Sequence, residues 1–133
     1  MRILPSVLLV TLLGCGSSTA PEPRLGDEFT VSIDGEVVIL DTGLRIAFFD
    51  VTDDSRCPST AICAWAGDAS VVITSRFPME SPVLDTLHTT LDPKAVLRDG
   101  TEIRLVRLDP YPDGSPITRG LYSAVLVTRR ILD

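Results

Sequence analysis

The feature that most constrains this chain is its punctuation. From Leu25 onward no segment sustains a helical period, and short runs rich in β-branched residues are interrupted every few positions by glycine, proline or aspartate. Phe29-Thr30-Val31-Ser32-Ile33 alternates as a strand with one wet face does. Asp34-Gly35 reads as a tight hairpin turn into residues 36–40, and Asp41-Thr42-Gly43 turns the chain again. Residues 44–51 (LRIAFFDV) are apolar at both parities over much of their length, which predicts a strand covered on both sides. Residues 69–74 (ASVVIT) predict a further strand, and residues 75–82, with two prolines, a connection. Between 83 and 91 the shared parity of Leu87, Thr89 and Leu91 fits an edge strand. Residues 94–98 and 101–108 flank Asp99-Gly100, the second hairpin signal; Pro93 to Leu97 has room for one helical turn at most. Residues 109–117 (DPYPDGSPI), with three prolines, are a loop, and residues 121–128 a closing strand.

Seven or eight short antiparallel strands predict an all-β fold, a single small β-sandwich or barrel, with the sandwich preferred. Its architecture is immunoglobulin-like, but two distant cysteines about a central tryptophan are absent, so the expectation stops short of that family.

The first part of the chain reads differently. Met1 and Arg2 precede an apolar run over residues 3–13, of signal-peptide length and short for a membrane span. It ends in Leu12-Leu13-Gly14-Cys15, which resembles the lipobox of bacterial lipoproteins. The resemblance implies a signal peptide over residues 1–14, diacylation of Cys15 and cleavage before it. Residues 15–24 are then a flexible, small and polar tether, and residues 25–133 the folded domain. Gly16 in place of aspartate after the acylated residue implies, by analogy with enteric lipoproteins, an outer-membrane address facing the periplasm or the cell surface. The competing reading is an ordinary secretory signal cleaved near Ala20.

The mature chain loses Arg2 and no acid, leaving 11 basic against 18 acidic residues and a net charge of −7. Such a domain has no electrostatic footprint for nucleic acid, which is excluded as a partner, and none for an anionic lipid surface beyond its own anchor. The chain has neither Asn nor Gln, and Lys94 is its one lysine. A GC-rich genome explains that bias, and it removes the side-chain amides frequent in sugar recognition.

With Cys15 committed to lipid, Cys57 and Cys63 remain as an even pair in an oxidising compartment, where pairing is the default. Five residues separate them, Pro58 opens the intervening turn, and so short a loop gives about 2 to 2.5 kcal/mol of chain-entropy stabilisation. Zinc or copper would need more ligands than His88 and this pair supply, and the spacing is not that of a C-x-x-C redox centre. No bound cofactor is expected.

Asp54-Ser55-Arg56-Cys57-Pro58, four residues, then Cys63-x-Trp65-Ala66-Gly67 is similar to a signature of small uncharacterised bacterial lipoproteins and secreted proteins. Leu108-Asp109-Pro110-Tyr111-Pro112 and the strand after it resemble the same group's closing loop. The resemblance implies a shape and transfers no activity.

Trp65 has two readings, a core plug on the disulfide, which is preferred, and an exposed anchor at a binding loop. Arg56 is expected as a solvated surface residue, with pairing to Asp53 or Asp54 or stacking on Trp65 as alternatives. Asp50, Asp53 and Asp54 are weak candidates for a calcium site without the EF-hand pattern, against a solvated loop. His88 is expected on a strand surface. Ser81 and Asp85 do not complete a relay with it, since His88 and Asp85 point to opposite faces of one strand, and no G-x-S-x-G elbow is present.

The two longest constrained loops, the cysteine loop and residues 109–117 with Tyr111, suit recognition, because stiff loops lose little entropy on association. The expectation is a non-enzymatic, membrane-tethered binding or structural module, its partner an envelope protein. A metal-binding periplasmic module is one alternative. Another is a protease-inhibitor-like sandwich of the chagasin kind, although the N-P-T-T-G-Y signature of that group needs an asparagine this chain lacks.

Overall fold

The computed structural model describes residues 21–132; the leader, Cys15 and the first part of the tether lie outside the described residues. The fold is all-β, two antiparallel sheets of four strands each forming a small sandwich. The strands are β1 (Glu28–Ser32), β2 (Glu36–Ile39), β3 (Leu44–Asp54), β4 (Ala69–Arg76), β5 (Val83–His88), β6 (Ala95–Arg98), β7 (Thr101–Asp109) and β8 (Ser123–Arg130). One sheet runs β1-β8-β7-β6 and the other β2-β3-β4-β5.

Alternation sends one face of each sheet inward. Val31, Ile103 and Leu126 from the first sheet meet Ile39, Leu44, Ile46, Phe48, Ile73 and Leu87 from the second, all essentially inaccessible. Each such side chain contributes about 1.5 to 3 kcal/mol when buried, so this layer supplies the main driving force for folding.

Three local expectations are corrected. The Asp34-Gly35 turn is tight, with Asp34 at φ 63°, yet it is not a hairpin. Ile33 N donates to Tyr122 O and Asp34 N to Phe48 O, so successive residues bond to different sheets and the turn carries the chain across the sandwich. β3 is covered on one face only: Leu44, Ile46 and Phe48 are buried while Arg45 and Phe49 face outward. Its apolar look at the second parity comes from Ala47 and Phe49, and a register shift between Phe48 and Asp50 changes the phase beyond them. The single helical turn for which Pro93 to Leu97 had room does not form, because residues 95–98 are β6 and pair with residues 101–104 across the Asp99-Gly100 hairpin, which is as expected. The edge position of β5 is as expected, though the strand ends at His88.

Strand direction defines two ends. The 33–35 turn and the loops after β3, β5 and β7 gather at one, the loop end. The other carries the tether's last residues, the 40–43 turn, the connection after β4 and the Asp99-Gly100 hairpin. Pro23 and Arg24, expected in the tether, belong to the folded unit: Leu40 N donates to Pro23 O, and Arg24 Nη1 meets Asp41 Oδ1 at 3.1 Å.

Candidate functional site

The loop end is built around Arg56. β3 delivers Asp54 to the end of the sandwich, the chain turns, and Arg56 folds back so that Nε and Nη2 grip Asp54 Oδ1 and Oδ2 at 2.8 and 2.7 Å. Its remaining donors cross to the β7–β8 loop, Nη1 to Leu108 O at 2.7 Å and Nη2 to Pro110 O at 3.0 Å. The planar fork makes four directed bonds in one place, which a lysine cannot do. Arg56 is therefore buried, against the expectation of a solvated residue; only the partnership with Asp54 was among its foreseen roles.

Asp54 Oδ2 also accepts from the Tyr122 hydroxyl at 2.9 Å. Burial pushes the Asp54 carboxyl up, but the bonds from Arg56 and Tyr122 outweigh it and hold the group below the usual carboxylate range. Burial and the same bond push the Tyr122 hydroxyl up to about 12. Tyr111 lies over the guanidinium, 5.4 Å from ring centroid to Cζ, and its hydroxyl donates to Cys57 O at 2.9 Å.

The expected disulfide forms between Cys57 and Cys63, with Cα atoms 6.0 Å apart. Pro58 opens the turn inside it, closed by Ala61 N on Pro58 O. Ser59 N to Pro112 O and Thr60 Oγ1 to Asp113 O tie this turn to the β7–β8 loop, so the two loops singled out in the sequence form one platform.

The base of the cysteine loop is locked twice more. Gly67 sits at φ +70°, and a Cβ there would lie 1.9 Å from Ser55 O. Asp68 is buried and gathers the β5–β6 loop: Oδ1 accepts from Thr90 N at 2.8 Å and Leu91 N at 3.3 Å, while Oδ2 meets His88 Nδ1 at 2.6 Å. Burial raises the Asp68 pKa, but the Thr90, His88 and Leu91 bonds win and lower it. Sequence reasoning missed Asp68. The one signal was its place directly after the left-handed Gly67, where the chain re-enters the core.

His88 is half-buried rather than a plain surface residue. Ser70 Oγ and Asp68 approach the same ring nitrogen, Nδ1, so this trio is not a nucleophile relay, which needs acid and hydroxyl on opposite nitrogens.

Trp65 is the main correction. It is 80% exposed, with Ile62 fully exposed in the same loop and Leu91 beside it in the β5–β6 loop. The loop is pinned at both ends, by Cys57 N on Ala66 O and Ser55 N on Asp68 O. An open groove of about 280 Å³ runs between Trp65 and Leu91, floored by Ala66 and Gly67 with Asp68 behind.

The three aspartates before the disulfide do not converge. Asp54 faces Arg56, Asp50 pairs with Arg119 at 3.1 Å, and Asp53 is exposed. Among the described residues no group of three or more His, Cys, Asp or Glu is placed to hold a metal ion.

Fold and site together define a disulfide-stapled antiparallel β-sandwich with three loops locked into one end. The chain matches no protein-family model, no curated protein and no solved structure.

Proposed function

We propose that this protein is an envelope lipoprotein acting as a binding module, tethered to the membrane through Cys15 and presenting its loop end to a protein partner. One observation carries the reading: Trp65 is exposed on a loop that everything beneath it holds rigid. An exposed indole costs solvation and gains nothing for the fold, whereas aromatic anchors on preorganised loops dominate binding energies. Pro23 and Arg24, the described end of the tether, lie at the opposite end of the sandwich from the loop end, an arrangement that supports this reading.

Photo-crosslinking in intact cells tests this. A crosslinking amino acid at position 65 is expected to give one discrete adduct, identified by mass spectrometry. The same group at Met79, fully exposed at the tether end, should not give it. Equal labelling from both positions, or none from 65, sinks the reading.

A further inference from the structure

We infer that the open edge between β1 and β2 is a second docking site, which takes an extended, basic polypeptide segment as an added β-strand. A groove of about 900 Å³ lies there, between the free edges of the two sheets. The opposite side of the sandwich, between β5 and β6, is bridged by the Arg98–Asp85 ion pair and by His88 N on Pro93 O.

Among the described residues both edges offer unused backbone groups. Ile33 N bonds to Tyr122 O, so the alternation of an antiparallel ladder places Val31 and Phe29 in bonded pairs with β8 and turns the N–H and C=O of Glu28 and Thr30 outward. Phe48 N bonds to Gly35 O, and the same alternation turns Glu36 and Val38 outward from β2. Leu40, of that outward parity, already donates its N–H to Pro23 O, so the end of this edge does bond to a neighbouring stretch of chain. Of the described tether residues, Pro21 and Pro23 have no N–H to give to the edge.

Charge selects the occupant. Glu22, Asp27, Glu28 and Glu36 line the groove, and no arginine or lysine does. Arg45 offsets Glu36, but among the described residues Glu22, Asp27 and Glu28 have no ion-pair partner. The floor is apolar, from Phe29 and Val37 on the inward faces of the two strands, with Val38 on the outer face of β2. An added strand therefore places alternate apolar side chains on the floor and basic ones among the carboxylates, with main-chain bonds supplying affinity.

The test uses the mature full-length chain and a labelled peptide alternating lysine and valine over seven residues. Two controls accompany it, the same peptide with glutamate for lysine and the lysine peptide N-methylated at alternate amides. Saturable binding of the lysine peptide is expected, at least tenfold weaker for each control, with amide exchange slowed at Glu28 or Val38. Replacing Glu22→Gln, Asp27→Asn and Glu28→Gln, all surface positions, should weaken it at least tenfold, while Trp65→Ala leaves it unchanged. Equal binding of the methylated peptide would reduce the site to unspecific charge. Loss of binding in Trp65→Ala would move it to the loop end. Binding that appears only after residues 16–20 are deleted would make the tether itself the occupant. Each of these outcomes overturns the inference.

Discussion

Arg56 Nη2 stands 2.7 Å from Asp54 Oδ2, two residues away in sequence, and the same guanidinium reaches Leu108 O and Pro110 O more than fifty residues away. One side chain thus joins the two longest loops of the loop end. Replacing Arg56→Ala leaves the half-buried Asp54 carboxylate with only the Tyr122 hydroxyl and the residue-56 backbone N–H, and takes a charged donor from two carbonyls. A loss of about 3 kcal/mol or more is expected from urea unfolding. Arg56→Lys should recover less than half of it, since an ammonium cannot reproduce the fork.

The same cluster sets the pH response. Asp54 and Asp68 both titrate below their ordinary range when folded. The stability they contribute is complete above the unfolded carboxylate pKa, near 4, and is lost as pH falls through the lower folded values. In Asp54→Asn the urea midpoint should fall less steeply over that acid window. At the other extreme the Tyr122 hydroxyl is raised to about 12 from an ordinary 10.0, so its contribution is present below pH 10 and lost on going to 12. Tyr122→Phe should flatten that alkaline limb and leave the acid limb's direction unchanged.

Gly67→Ala meets both obstacles at once, a left-handed backbone and a carbonyl oxygen 1.9 Å from the new methyl. The Ser55 backbone cannot retreat, because Ser55 N is bonded to Asp68 O. Destabilisation above about 2 kcal/mol is expected in thermal unfolding, with a changed Trp65 emission as the loop is displaced.

The sheets were legible because a half-buried strand writes its burial in a two-residue period, as Phe29 to Ile33 does, and because β-branched residues mark Ala69 to Thr74 as a strand. The crossing at Asp34-Gly35 was not, since the same local turn serves a hairpin or a change of sheet, and only Tyr122 and Phe48, far along the chain, decide which. The disulfide followed from cysteine arithmetic. The burial of Arg56 did not, because it depends on carbonyls that the β7–β8 loop brings from elsewhere. Trp65 is exposed against expectation for a related reason: whether a large apolar side chain is buried depends on how the loop is held, here by Cys57 N on Ala66 O and Ser55 N on Asp68 O, and not on its own hydrophobicity.

The disulfide is one restraint among several. Replacing Cys57→Ser together with Cys63→Ser should cost about 2 kcal/mol, the chain entropy of so short a loop. The platform should survive, because Tyr111 on Cys57 O, Ser59 on Pro112 O and the Gly67 turn do not depend on the bond. Near-ultraviolet circular dichroism that keeps its native form, with a lowered melting temperature, is the expected result.

Trp65→Ala separates function from fold. An indole 80% exposed has little packing to lose, so the unfolding free energy should change by no more than about 0.5 kcal/mol. A core plug would cost about 3 to 5 kcal/mol for the same truncation. If the partner seats on this side chain, the substitution removes the crosslink obtained from Ile62, its neighbour in the loop, while leaving the melting temperature in place. Stability and binding must therefore be read on the same variant. A large stability loss would place the indole against the core in solution, and an undiminished crosslink would move the contact away from Trp65.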